Sequence, residues 1–138
     1  MFDKTSEAGQ KLEERLQREM IIWLTTVGTN GIPLPTPVWF VWDGTSFLIY
    51  TQPGSRKLRN ITYNARAALN LNSDEWGGSV VVFTGEVHVQ PDEPPAIQNP
   101  AYIEKYSQGI TGINMTPESL SRDYSVALRF YPTHLRLE

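Results

Sequence analysis

Pro37-Val38-Trp39-Phe40-Val41-Trp42-Asp43-Gly44-Thr45-Ser46-Phe47-Leu48-Ile49-Tyr50-Thr51 reads as two strands joined by a tight turn. The first, about Thr36 to Trp42, is aromatic and β-branched, the composition that suits a pleated surface. Asp43-Gly44 supplies the turn, because both residues accept the backbone angles of a hairpin. Phe47 to Thr51 is the returning strand. Pro33, Pro35 and Pro37 lead into the first strand, and proline donates no ladder hydrogen bond, so this stretch belongs at a sheet edge or bulge. Trp39 and Trp42 differ in parity and project to opposite faces of a regular strand. Both faces therefore meet something apolar: the interior of a barrel on one side, a partner subunit or a flat ring on the other.

Upstream, Met20 to Val27 is uncharged and β-rich, and Thr29-Asn30-Gly31 turns the chain back on itself. Before it, Ser6 to Gln17 reads as a helix, with Leu12 and Leu16 four apart on one face. Downstream, Pro53-Gly54-Ser55 ends the hairpin, and Ser55 can cap a short helix over Arg56 to Asn64. Ala67 to Asn72 and Ser79 to Gln90 read as strands around a Ser73–Gly78 loop. Pro91 to Asn99 is a proline-rich loop, Pro100 to Gln108 a helix, and Thr116-Pro117 the start of another. Ser125 to Leu137 is the last strand, bent or interrupted at Pro132. The sum is mainly β with flanking helices: about six strands in meander order, antiparallel, closed or nearly closed into a barrel. There is no βαβ rhythm, no G-x-G-x-x-G and no G-x-x-x-x-G-K-[ST], which argues against a dinucleotide or P-loop fold.

The chain has 138 residues, enough for one domain spanning 1–138. Hydrophobic residues make up 40% and charged residues 20%, an ordinary globular balance. The absence of cysteine excludes disulfides, thiolate metal sites, iron–sulfur clusters and a thiol nucleophile. Two histidines, His88 and His134, are little material for a metal centre, and no metal site is expected. A net charge of -3 argues against broad nucleic-acid or membrane-surface binding. No apolar run approaches the ~20 residues that span a bilayer, and the N-terminus is polar. A cytoplasmic location is the expectation.

Thr51-Gln52-Pro53-Gly54-Ser55-Arg56-Lys57-Leu58-Arg59-Asn60 is the segment with chemistry in it. Arg56 and Lys57 fall in the first turn of the expected helix, where a cation opposes the helix dipole by roughly 0.3–1 kcal/mol. Unpaired backbone N–H groups, a hydroxyl cap and two cations together form a phosphate site. A solvated basic turn is the plainer alternative. His88 and His134 read as structural or solvent-facing, and Asp74-Glu75 as a loop charge pair. No Ser-His-Asp, H-E-x-x-H or paired-carboxylate signature is present. No catalytic side chain is assigned, so any hard chemistry must come from a cofactor.

From about Leu16 to Arg136 the chain resembles the pyridoxamine 5'-phosphate oxidase-like split-barrel superfamily. More closely, it is similar to the class B flavin/deazaflavin oxidoreductases that depend on coenzyme F-420. The marks are Leu24-Thr25-Thr26-Val27 with Asn30-Gly31, Pro37 to Gly44, Tyr50-Thr51 with Ser55-Arg56-Lys57, and Asn60-Ile61. Later marks are Gly85, Tyr102, Lys105-Tyr106, Tyr124 and Pro132. The resemblance implies a homodimer with cofactors in clefts between subunits. Thr51, Ser55, Arg56 and Lys57 would hold the cofactor phosphate, with Asn60 beside them. Val38, Trp39 and Phe40 would lie along the tricyclic ring, and Trp76 would come from the second subunit. The likeness does not extend to the pyridoxal phosphate-forming oxidases: Ser79 to Thr84 holds no Gln, and the tail has Arg129 and Arg136 but no Trp. It implies hydride transfer from reduced coenzyme F-420 to a small electron-poor organic acceptor. FMN in the same site, and a non-enzymatic flavin-binding or stress-related role, are the alternatives.

Overall fold

Trp39 and Phe40 alone separate two strands that lie at opposite ends of one sheet. In the computed structural model, which describes residues 1–138, β1 (Ile22–Val27), β2 (Pro33–Val38), β3 (Val41–Trp42), β4 (Phe47–Thr51), β5 (Arg66–Leu71), β6 (Val81–Val89) and β7 (Val126–Leu137) form an antiparallel sheet. Its order is β2-β1-β5-β6-β7-β4-β3. Two residues cannot cross an open seven-stranded sheet, so the sheet must curl until its edges meet. The β2 and β3 edges are not paired to each other, and the barrel is split at that seam.

The expected Thr36–Trp42 strand is thus two strands, and the count is seven rather than about six. The meander order also needs correction. β5, β6 and β7 follow one another, but β1 pairs with β5 and β4 with β7. β2 does lie at an edge. Pro33, Pro35 and Pro37 stand opposite Val27, Thr25 and Trp23. The ladder bonds fall to Leu34, Thr36 and Val38, while the prolines keep the free edge from recruiting another strand.

The expected helix over 6–17 is α1 (Glu7–Arg18), with Ser6 as its cap. Leu12 and Leu16 plug one mouth of the barrel, in a core built on Phe40, Trp42, Phe47, Phe83 and Phe130. α2 (Arg56–Tyr63) drops Ile61 into the same core. A second apolar cluster lies outside the sheet, where α3 (Pro100–Gly112) and α4 (Pro117–Asp123) cover Leu48, Tyr50 and Ala127. β4 is therefore buried on both faces, which accounts for its unbroken run of buried residues. The interruption near Pro132 is a bulge: Thr84 pairs with His134 but Gly85 with Pro132. A Cβ on Gly85 would stand 2.1 Å from the Tyr131 carbonyl oxygen, so the crossing tolerates only glycine.

Candidate functional site

The N-terminus of α2 is capped by Ser55, whose hydroxyl accepts the Leu58 N–H at 3.3 Å. Thr51 is 1% exposed, and its hydroxyl lies 3.3 Å from that of Ser55. Thr51 therefore stands behind Ser55 and holds it in place. Lys57 is half-buried and has no ion-pair or hydrogen-bond partner in the chain. Burial pushes its ammonium below the usual lysine pKa. It opens into a cavity of about 420 Å³ walled by Val38, Trp39, Tyr50, Tyr102, Ile113, Leu120 and Tyr124, with Gln52 beside it and no acidic residue in the lining.

Trp39 is a fixed wall of that cavity. Its indole stacks on Tyr106 with ring centroids 4.4 Å apart and 2° between planes. Gly109 lets α3 approach, since a Cβ there would meet the indole at 3.3 Å. The seam itself is held by α3. The Tyr106 hydroxyl accepts the Phe40 N–H at 2.8 Å and donates to the Met20 carbonyl at 2.7 Å. Lys105 Nζ donates to the Phe40 carbonyl at 2.9 Å.

Val38, Trp39 and Lys57 thus share one cavity, with Ser55 and Thr51 at the adjoining helix start. Phe40 does not join them: its ring is 0% exposed in the barrel core and its N–H is bonded to Tyr106. Arg56 and Asn60 open instead onto a second groove with Arg59. Asn60 donates to the Thr26 hydroxyl at 3.1 Å and so ties α2 to β1. Trp76, 89% exposed, borders neither cavity. It sits on a turn organised by Asp74, whose carboxylate accepts the N–H groups of Trp76 at 2.9 Å and Gly78 at 2.7 Å. These bonds hold the Asp74 carboxyl below its ordinary pKa.

His88 and His134 are exposed on β6 and β7, and no cluster of potential metal ligands exists. Gln52, Ile113 and Leu120 are cavity residues that carry no signal in the sequence. Tyr102 and Tyr124 are marked there by resemblance alone, and the structure puts both in the cavity wall. The site is a flat-walled, largely apolar pocket with one uncompensated cation at its edge, next to a capped helix N-terminus. That arrangement can hold a planar ring carrying a negatively charged group.

The family model described as pyridoxamine 5'-phosphate oxidase matches residues 8–137. Among solved structures, a conserved hypothetical protein from Mycobacterium tuberculosis superposes with a TM-score of 0.72 at 22% identity, covering 95% of this chain and 82% of its own. An F-420 reductase gives 0.67 at 23% identity, covering 90% and 94%. The heme storage protein of Vibrio cholerae gives 0.66 at 18% identity, covering 93% and 92%. At such identities the likeness establishes a common fold. No match was found among curated protein sequences.

Proposed function

The chain belongs to the pyridoxamine 5'-phosphate oxidase family, and from that premise we propose that it is a reductase carrying a flavin-type cofactor. Reduced coenzyme F-420, a deazaflavin, is the preferred cofactor, and a small electron-poor organic molecule the acceptor. The observation that carries this reading is Lys57: a half-buried ammonium without a counter-ion, facing a cavity with an aromatic wall. Leaving such a charge uncompensated is unfavourable, and a bound phosphate relieves it.

The ring lies along Val38 and Trp39. Lys57 would hold the phosphate at the start of α2 from the cavity side, and the exposed Arg56 at the same helix start would reach it from the groove side. Ser55, supported by Thr51, and the free N–H groups of the first turn donate to it. Trp39, clamped between Tyr106 and Gly109, fixes the ring plane, and the apolar lining excludes water from the reacting face. When bound, the cofactor supplies the hydride, and solvent supplies the accompanying proton. No side chain of the chain needs to act as acid or base.

The cavity is open on one side, and a second copy of the chain closes it in this reading, with Trp76 of that copy as the contributed aromatic. The same residues accept FMN, which is the second reading. Pyridoxal phosphate formation is not part of either, for want of the Gln and Trp that mark those oxidases.

Titration of the purified protein with coenzyme F-420 and with FMN, followed by fluorescence, tests the reading. Tighter binding of coenzyme F-420, with turnover of a quinone or enone, supports it. Tighter FMN binding selects the second reading. Cofactor binding without reduction of any acceptor points to a storage or carrier role, and binding of neither overturns all three.

A further inference from the structure

The chain has four lysines, and each meets a different environment. Lys4 donates to the Gly44 carbonyl at the surface, and Lys11 pairs with Glu7. Lys57 faces the cavity given to the ring. Lys105, on α3, is half-buried at the seam and does not line that cavity. Its Nζ is held by two features of one residue: the Phe40 carbonyl, to which it donates, and the Phe40 ring beneath it. Two open grooves flank this side chain. One, of about 470 Å³, runs past Met20, Trp39, Tyr106 and Gly109. The other, of about 510 Å³, runs past Leu16, Met20, Val41 and Trp42. Lys105 lines both and stands on the ridge between them.

The charged groups nearby leave the amine unpaired. Glu104 lines both grooves and Arg18 the second, but no carboxylate pairs with Nζ. Glu19 favours the ammonium from a distance, and its carboxylate is bonded to Arg15. The Tyr106 hydroxyl is engaged with Phe40 and Met20. Burial outweighs Glu19 and lowers the lysine pKa to about 8, so free amine is present at mildly alkaline pH.

We propose that Lys105 is a modification site, acylated by small activated acyl donors of the acyl phosphate or thioester class. The free amine attacks the acyl carbonyl, the C–N bond forms, phosphate or thiolate leaves, and the proton lost from nitrogen passes to solvent. The surroundings favour this product over other lysine modifications. Methylation keeps the positive charge that burial penalises. A neutral imine formed with an aldehyde leaves no N–H for the Phe40 carbonyl. A secondary amide removes the charge and keeps one N–H, which still donates to that carbonyl. The acyl group then occupies one of the two flanking grooves. None of this depends on the cofactor assignment.

Incubation of the whole protein with acetyl phosphate, followed by peptide mass spectrometry of each lysine, tests it. Lys105 should react faster than the exposed Lys11. The Lys105-to-Lys11 ratio should exceed that of the urea-unfolded chain roughly tenfold or more, since each unit of pKa multiplies the free-amine fraction about tenfold. The rate at Lys105 should level off above pH 8. Protein singly acetylated at Lys105, separated by ion exchange, should keep or raise its urea midpoint at pH 7, because the amide still holds the Phe40 carbonyl and no buried charge remains. A ratio no higher than in the unfolded chain means that the fold shields the amine instead of activating it, and overturns the site. A lower urea midpoint in the singly acetylated protein means that the acyl group breaks the seam, and overturns it equally.

Discussion

Lys105 Nζ lies 2.9 Å from the Phe40 carbonyl oxygen and 3.7 Å from the centroid of the Phe40 ring. It has no carboxylate partner, and burial pushes its pKa down to about 8, against 10.5 for a free lysine. The unfolded chain therefore binds more protons at this position between pH 8 and 10.5, and stability rises across that window. Lys57, lowered by the same cause, adds to the rise. Tyr102 and Tyr106 act in the opposite sense, because burial raises both hydroxyls above 10.0. Their contribution is complete below pH 10 and is lost above it. Urea midpoints measured from pH 7 to 11 should climb to a maximum near 10 and then fall. The Lys105→Met variant should show a flatter climb, and an unchanged profile in that variant would contradict the assignment.

Tyr106→Phe removes the hydroxyl that satisfies the Phe40 N–H and the Met20 carbonyl at the seam. The ring and its stack on Trp39 remain. An orphaned buried donor costs about 1–3 kcal/mol, so the urea midpoint should drop accordingly. Lys105 still holds the Phe40 carbonyl, so the variant should fold. A loss below about 0.5 kcal/mol would mean that the hydroxyl does not secure the seam.

The Asp43-Gly44 turn between β3 and β4 was legible because its information is local: a turn dipeptide between aromatic and β-branched residues, as was the edge position of β2, from prolines that can only sit at an edge. The Ser55 cap was legible for the same reason. The break at Trp39-Phe40 was not, because its cause is Tyr106, sixty-six residues away. Nor were the pairings of β1 with β5 and β4 with β7, which join segments far apart in sequence. At the site, Arg56 and Lys57 read as one cluster because they are adjacent. A step of 100° around a helix axis was enough to turn them toward different cavities. Phe40 came to the site through the resemblance alone, and the structure buries its ring in the barrel core.

Gly85→Ala places a methyl group 2.1 Å from the Tyr131 carbonyl at the β6–β7 bulge. The obstacle is backbone, so relief requires the two longest strands to separate locally. Overpacking of this kind costs about 1–3 kcal/mol, and the shift should appear in thermal melts. Protection of β6 amides in hydrogen exchange should fall around Thr84 and Glu86 first. A melt equal to wild type would show that the bulge relaxes without cost.

Lys57→Ala separates the binding role of the site from its structural cost. Loss of a charge-assisted hydrogen bond to a phosphate should weaken cofactor affinity by about 1.5–3 kcal/mol, roughly ten- to a hundredfold. Without ligand, the variant should be as stable as wild type or more so, because a half-buried ammonium without a counter-ion is removed. His88→Ala, on the exposed face of β6, serves as the control and should bind cofactor normally. If Lys57→Ala binds like wild type, the phosphate does not sit at the start of α2. If it binds weakly and also melts early, the lysine supports the fold instead, and the affinity loss is secondary to that. Only weaker binding with undiminished stability identifies Lys57 as a residue kept for a ligand.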